Sequence, residues 1–185
     1  GRLIQYLFGI NTKASVFGAD VLQEQINECK EKFFNGVFIQ NKPKPPIDFQ
    51  DSQFDFIYSY SVFTHLSESN HLAWLKELAR ILRPGGMMLH SVKSYEFVRR
   101  ARIFSPQNLV KYRLMEPYAQ FEIEHPYHYI IDNPNTPEYG LTIISKNYIM
   151  ENWHKETGLE ILDYAEGCIE AYPEGCHDLV LLHKS

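Results

Sequence analysis

The chain has 185 residues, of which 44% are hydrophobic and 22% are charged, and its formal net charge is -5 at pH 7. This length suits one domain with a sizeable core, and the apolar content excludes a disordered or fibrous chain. The acidic balance disfavours nucleic acid as a partner because such surfaces need a basic stripe, and no apolar run is long enough to span a bilayer.

The cysteines, Cys29, Cys168 and Cys176, are few and odd in number. A disulfide framework needs an even and denser set, so we expect reduced thiols and a cytoplasmic protein.

Before a proline-rich loop, the chain alternates between helical and strand-like spacing. RLIQYLF has helical spacing, and SVFGAD predicts a short buried strand that ends at Asp20. VLQEQINECKEKFF predicts an amphipathic helix, and VFIQ after Gly36 predicts a second strand. The prolines of NKPKPPIDFQDSQ then hold the backbone in an extended loop.

After this loop the pattern predicts a strand, a helix and a strand. FDFIYSYS predicts the first strand, and SESNHLAWLKELARIL predicts a helix with Ser67 as its N-cap. RPGG ends that helix, and MMLHSV predicts the next strand. The leucines expected on the buried face of the helix are Leu72, Leu75, Leu78 and Leu82. Apolar strands that alternate with helices indicate an α/β fold with a doubly wound, mostly parallel sheet.

The second half begins with a segment of weak periodicity. Residues 94–137 are rich in Tyr, Pro and Arg and predict an inserted lid or substrate region, with a short helix in SPQNLVKYRL. Regularity returns in ISKNYIMENWHKETG, which predicts a helix with Ser145 as N-cap and Gly158 after its end. LEILDYAEG and HDLVLLHK predict an antiparallel strand pair at a sheet edge. We expect residues 1–185 to form one domain.

Several of these stretches together resemble one family. They are GR at the start, FGAD up to Asp20, FDFIYSYSVFTHLSE, LAWLKELARILRPGG and YGLTIISKNYIMENW. In order and spacing they resemble the class I S-adenosylmethionine-dependent methyltransferases, in particular the small bacterial methyltransferase-domain group. The resemblance implies a Rossmann-like, seven-stranded sheet with an antiparallel last strand. It also implies S-adenosylmethionine as the cofactor and methyl transfer, for which we expect an O or N nucleophile of a small molecule as the acceptor.

The resemblance also gives an expectation about the start of the chain. Gly1 matches the last glycine of the turn that follows the family's first strand. We therefore expect the first strand and the earlier glycines to lie upstream of Gly1. On this hypothesis the present chain is a fragment that binds the cofactor weakly and is inactive alone.

The candidate cofactor-binding residues follow the predicted strands, where ligands bind in open parallel sheets. Asp20 ends a strand, and its carboxylate suits the two ribose hydroxyls of a nucleoside. Asn41 stands where the family often has an acidic residue facing the adenine; here an ordinary loop asparagine is an equal alternative. The full candidate set is Gly1, Asp20, Asn41, Ser59, Tyr60 and Ser61.

The candidate catalytic residues are His65 and Tyr60. A histidine near the methyl-transfer centre has a pKa close to 7 and suits proton removal from an acceptor, although a structural role at the turn before Ser67 is the alternative. His125 and His128 have loop spacing, but no third ligand is evident, so we expect no metal.

Two other functions remain open at this point. A nicotinamide-dependent oxidoreductase also uses an acid after the second strand, but the chain has no Tyr-x-x-x-Lys pair. A binding module that has kept the fold and lost the activity is the second alternative, because fold alone does not decide function.

Overall fold

The structure is a computed structural model that describes residues 4–9, 13–104, 124–168 and 177–185. The chain divides into two compact units, Gly1–Asp48 and Phe49–Ser185. Gly1, Cys176 and the helix predicted in SPQNLVKYRL lie outside the described residues.

The first unit contains two helices and two parallel strands. The elements are α1 (Ile4–Gly9), β1 (Val16–Asp20), α2 (Gln23–Lys32) and β2 (Gly36–Gln40). The strands pair in register from Val16 opposite Gly36 to Asp20 opposite Gln40. A cluster of buried apolar side chains forms the core of this unit: Ile4, Val16, Ile26, Cys29 and Phe38. The helices and strands predicted for this part of the sequence are therefore present.

The second unit is built on a four-stranded sheet with the order β3-β4-β8-β7. Its elements are β3 (Phe54–Ser59), α3 (Glu68–Ile81), β4 (Leu82–Val92), α4 (Tyr95–Phe104), β5 (Tyr127–Ile131), β6 (Gly140–Ile144), α5 (Lys146–Thr157), β7 (Glu160–Cys168) and β8 (His177–His183). Strands β3 and β4 are parallel, whereas β8 runs antiparallel to both β4 and β7. The antiparallel final pair predicted from the sequence is thus observed.

Helix α3 buries a different face from the one that its leucines indicate. Leu75 is fully buried, but Leu72 and Leu78 are only half-buried, and His71 and Trp74 are buried in their place. The helix ends at Ile81, so Leu82 belongs to β4. The spacing of the leucines predicted the wrong face because it does not register a buried histidine. The His71 ring packs edge-on against Phe63, with ring centroids 4.5 Å apart. A polar residue therefore occupies a core position.

The predicted helix caps are partly as expected. Ser67 occupies the N-cap of α3, but its side chain makes no capping hydrogen bond. Ser145 caps α5 by accepting a hydrogen bond from the Tyr148 amide at 3.1 Å. Gly158 ends α5 with a left-handed φ of 73°, a conformation that glycine adopts without a steric penalty.

Part of the predicted lid is regular structure. Helix α4 and strand β5 lie within residues 94–137, and β5 pairs antiparallel with β6. Every residue of β6 is buried, so GLTII forms a core strand, whereas the sequence analysis assigned this stretch only to a region that resembles a helix. Strand β6 was not predicted because its partner β5 lies in the segment of weak periodicity. The connection between the two strands is also longer than a tight hairpin turn.

Gly140, at the start of β6, provides a test of this hairpin. A Cβ at this position would lie 2.1 Å from the Ile130 carbonyl oxygen, which belongs to backbone and cannot move aside. We expect Gly140→Ala to lower the free energy of unfolding by about 1–3 kcal/mol, measured by urea denaturation. Asn135→Ala, at an exposed position of the same hairpin, should change it by less than about 0.5 kcal/mol. Equal stabilities of the two variants would contradict the β5–β6 register.

Candidate functional site

The turn that follows β3 is anchored on β4. Ser61 has a left-handed φ of 59°, and its amide donates a hydrogen bond of 2.8 Å to the hydroxyl of Ser91. The Ser61 hydroxyl lies 3.3 Å from that of Thr64. A non-glycine residue with this φ is uncommon and persists where surrounding bonds hold it. The candidate residues Ser59, Tyr60 and Ser61 therefore have a fixed backbone at the carboxyl end of β3.

Ser59 is held by a buried histidine. Its hydroxyl lies 2.8 Å from Nδ1 of His90, which stands opposite it in the β3–β4 register. His90 is fully buried, and burial lowers its pKa to about 3. The imidazole is consequently neutral at neutral pH, because the interior disfavours the charged form.

A second buried histidine, His71, packs against the same phenylalanine, Phe63, as His90 does. The Tyr127 hydroxyl donates to the Leu66 carbonyl at 2.9 Å and lies 2.9 Å from Nδ1 of His71. A hydroxyl has one proton, so His71 Nδ1 donates to the Tyr127 oxygen, and Nε2 carries the lone pair. Burial, with a smaller effect from His90, holds the pKa of His71 well below its ordinary value.

Phe63 lies at the centre of these rings. Its ring centroid is 4.5 Å from that of His71, 4.7 Å from that of His90 and 5.9 Å from that of Trp153. Within the described ranges, Nε2 of both histidines and Nε1 of Trp153 are buried without a hydrogen-bond partner. Neutral rings tolerate this environment far better than charged ones would.

His65, the candidate base, lies at the end of the same turn. Its Nδ1 is 2.6 Å from the Gly140 carbonyl oxygen, and its ring stacks on Tyr139 with centroids 4.5 Å apart. A carbonyl oxygen only accepts, so Nδ1 carries the proton and the neutral ring has its lone pair on Nε2. Burial lowers the pKa of His65, although the bond to Gly140 opposes this. The result is a neutral imidazole with one nitrogen suited to accept a proton.

Tyr60, the other candidate catalytic residue, stacks on a histidine that the sequence analysis did not select. The ring centroids of Tyr60 and His177 are 5.0 Å apart. His177 Nδ1 lies 3.2 Å from the Ser91 hydroxyl, and burial lowers its pKa to about 4. His177 opens β8, so the antiparallel pairing of β8 with β4 brings it to the carboxyl end of β4.

Lys93 was also missed by the sequence analysis. It directly follows Val92, the last residue of β4, and the Lys93 carbonyl accepts a hydrogen bond of 2.9 Å from the Ile144 amide. The available signal was its position, since a lysine immediately after a buried parallel strand stands where ligands bind in such sheets. His177 had no comparable signal because only the strand pairing positions it.

The candidate residues of the first unit have acceptor oxygens available. Asp20 Oδ1 accepts a hydrogen bond of 2.9 Å from the Leu22 amide, while Oδ2 has no hydrogen-bond partner among the described residues. The Asn41 amide donates to the Asp20 carbonyl at 3.0 Å, and its side-chain nitrogen donates to the Lys42 carbonyl at 2.8 Å. Asn41 Oδ1 likewise accepts no hydrogen bond from the described part of the chain.

His125 and His128 have ring centroids 5.8 Å apart. Over the described ranges, no group of three or more His, Cys, Asp or Glu side chains is arranged to hold a metal ion. No described helix is long and apolar enough to cross a membrane.

Comparison with known protein families finds a match for the first part of the chain. Residues 1–90 match a family model described as a methyltransferase domain. This match over just under half of the chain supports membership of the class I S-adenosylmethionine-dependent methyltransferase family. The match spans Asp20, Asn41 and the turn after β3, and it confirms the resemblance noted in the sequence.

Solved structures extend the likeness of fold to the second half of the chain. A SAM-dependent methyltransferase from Methanosarcina mazei has a TM-score of 0.62 at 18% identity, over 92% of this chain and 82% of that one. One from Mesorhizobium loti has a TM-score of 0.64 at 12% identity, over 98% and 85% of the two chains.

A third structure contains ligands. The 1,6-didemethyltoxoflavin-N1-methyltransferase of Burkholderia thailandensis, with 1,6-didemethyltoxoflavin and S-adenosylhomocysteine bound, has a TM-score of 0.64 at 12% identity. The similarity covers 100% of this chain and 68% of that one. The TM-scores show a shared mixed α/β fold. Because the sequence identities are low, the acceptor of this chain has to be inferred from its own residues.

The neutral core histidines predict a pH dependence of stability. In the unfolded chain His90 has a pKa near 6.5, whereas burial lowers its pKa to about 3 in the folded chain. Below about pH 6.5 the unfolded state binds a proton that the native state does not bind. The free energy of unfolding therefore falls as the pH falls toward 3. We expect each such histidine to remove about 1 kcal/mol of the free energy of unfolding between pH 6 and pH 5.

Two variants separate the imidazole from its hydrogen bond. His90→Gln should reduce the loss of stability between pH 6 and pH 5 by about 1 kcal/mol, measured by urea denaturation at each pH. Ser59→Ala retains the imidazole and should leave the pH dependence unchanged. If His90→Gln had the same pH dependence as the parent protein, His90 would not be the neutral buried group described above.

Proposed function

We propose that this chain transfers the methyl group of S-adenosylmethionine to an oxygen or nitrogen nucleophile of a small molecule. The family match over residues 1–90 carries the proposal. It includes Asp20, Asn41 and the turn after β3, whose chemistry suits a nucleoside cofactor. Location in the cytoplasm is part of the same proposal, and it rests on the sparse cysteines.

The donor set fits the cofactor. Asp20 Oδ2 is an unpaired carboxylate oxygen among the described residues and suits the ribose hydroxyls. Asn41 Oδ1 is an acceptor for the adenine amino group. We assign Ser59, Tyr60 and Ser61 to the methionine end, where the left-handed Ser61 fixes the backbone groups. Gly1 remains a proposed member of the set through the family motif alone.

The cofactor, when bound, supplies an electrophilic methyl group and a neutral sulfide leaving group. The chain's own task is to align the acceptor and exclude water. In our proposal His65 takes the acceptor's proton at Nε2, since its Nδ1 proton is held by the Gly140 carbonyl. Tyr60, stacked on His177, forms one wall of the acceptor site.

Residues 94–137 are proposed to cover the acceptor. Their described part includes α4 and β5, and the Tyr95 hydroxyl donates to the His125 carbonyl at 2.7 Å. Tyr127 is bonded to the core through Leu66. These contacts of the described part support its placement over the acceptor.

Replacement of Asp20 tests the ribose assignment. In the product of the whole reading frame, Asp20→Ala should weaken binding of S-adenosylhomocysteine by about ten- to a hundred-fold, because a charge-assisted hydrogen bond contributes about 1.5–3 kcal/mol. Isothermal titration calorimetry measures the change. Asp48→Ala, an exposed carboxylate in the same unit, and His65→Ala should leave the dissociation constant within about three-fold of the parent value. An unchanged dissociation constant in Asp20→Ala would contradict the assignment.

Titration of S-adenosylhomocysteine against NAD separates methyl transfer from the oxidoreductase alternative. We expect binding of the first and not of the second. The same titration on the 185-residue chain and on the product of its whole reading frame tests the expectation that residues upstream of Gly1 complete the glycine turn. If replacement of His65 and Tyr60 leaves methyl transfer unchanged while the cofactor still binds tightly, neither side chain is catalytic, and the structural role of His65 at the turn before Ser67 is favoured instead.

A further inference from the structure

Three nitrogen-bearing side chains share the carboxyl ends of β3 and β4. They are Lys93 after β4, His65 in the turn after β3 and His177 at the start of β8. Burial lowers the pKa of both histidines, and the charge of the Lys93 ammonium lowers each of them further. Lys93 is therefore close enough to act electrostatically on both rings, and the three groups form one basic cluster.

Lys93 is firmly positioned within this cluster. Its carbonyl accepts a hydrogen bond of 2.9 Å from the Ile144 amide, and its Nζ lies 4.8 Å from the centroid of the Phe97 ring. A cation over an aromatic face is held by the electrons of the ring. The Lys93 side chain is half-buried, so its ammonium has lost part of its hydration while still reaching solvent.

Among the described residues, the charge of Lys93 has no close carboxylate partner. Across the described ranges, the ammonium forms no ion pair with a carboxylate within 4.0 Å. The exposed Asp132 acts on the Lys93 ammonium only from a distance. Burial lowers the pKa of Lys93. An ammonium that is partly desolvated and not neutralised gains more from an incoming anion than a fully hydrated surface lysine does.

Two aromatic rings flank the cluster. Tyr60 stacks on His177 with ring centroids 5.0 Å apart, and Tyr139 stacks on His65 with centroids 4.5 Å apart. These rings present flat apolar surface beside the basic groups. A small molecule with an apolar body and an anionic group would match both features.

We propose that the methyl acceptor carries an anionic oxygen group, a carboxylate or a phosphate, and that Lys93 binds it. The proposal rests on the methyl-transfer function above and deepens it by naming a class of acceptor. Lys93 selects against neutral analogues, because these leave its half-buried charge without a partner. His65 remains available for the proton of the nucleophile.

The probes are benzoate, phenyl phosphate and the neutral benzamide. Each is titrated into the product of the whole reading frame, with and without S-adenosylhomocysteine, while the imidazole signals of His65 and His177 are followed by NMR. We expect at least one anion to bind about tenfold or more tightly than benzamide. The tighter of the two anions distinguishes a carboxylate from a phosphate group.

Substitution of Lys93 tests its role. Lys93→Met and Lys93→Gln should each weaken binding of the preferred anion by about tenfold or more and leave benzamide binding unchanged. Lys93→Arg should retain the affinity within about threefold. The control Lys76→Met replaces an exposed lysine of α3 that is paired with Glu156 at 2.6 Å, and it should have no effect. Circular dichroism of each variant confirms that the fold is retained.

The outcomes separate the two proposals. Equal binding of benzamide and both anions, or anion binding that survives both Lys93→Met and Lys93→Gln, would overturn the anionic-acceptor proposal. S-adenosylhomocysteine binding in the same samples would leave methyl transfer standing in that case. Anion preference without S-adenosylhomocysteine binding would instead refute methyl transfer and retain Lys93 as an anion-binding residue.

Discussion

The site in the second unit depends on the attachment of the turn after β3 to the side chains of β4. Ser91 accepts the hydrogen bond of the left-handed Ser61, and His90 holds Ser59. Both anchors are fully buried, so water does not compete for them. Because β3 and β4 are parallel, their carboxyl ends meet at one edge, and the turn and Lys93 emerge there together. Loss of the β3–β4 register would displace both.

Burial of histidines is the second feature on which the site relies. His71 and His90 surround Phe63 and are neutral because the core disfavours their charged forms. An aliphatic core would fill this space at a lower cost in desolvation. The imidazoles instead provide directional bonds to Tyr127 and Ser59, which connect β5 and β3 to the core. Polar packing of this kind fixes one arrangement of the strands where apolar packing would permit several.

The sequence predicted most of the fold because its elements are local patterns. The strands ending at Asp20 and Ser59, helix α3 and the β7–β8 pair follow from periodicity and turn residues. The buried face of α3 and strand β6 were not predicted. His71 is buried by virtue of Tyr127, which lies 56 residues away in sequence, and β6 needs a partner from an irregular segment. Neither dependence is visible in a window of consecutive residues.

The candidate site likewise contains residues that could be predicted from the sequence and residues that could not. Asp20, Ser59 and Ser61 were selected because they follow predicted strands, and that rule depends only on strand order. His177 depends on the antiparallel return of β8, whose register with β4 no sequence pattern specifies. The two histidines whose pKa values the Lys93 charge lowers are thus positioned differently, since His65 lies in a local turn and His177 is placed by a long-range strand pairing. In our proposal, substitution of Lys93 alone changes the preference of the cluster for its ligand, while the turn that β4 anchors stays intact. Under our proposal, specificity for the acceptor is separable from the architecture of the turn, which is the physical condition for one fold to serve different acceptors.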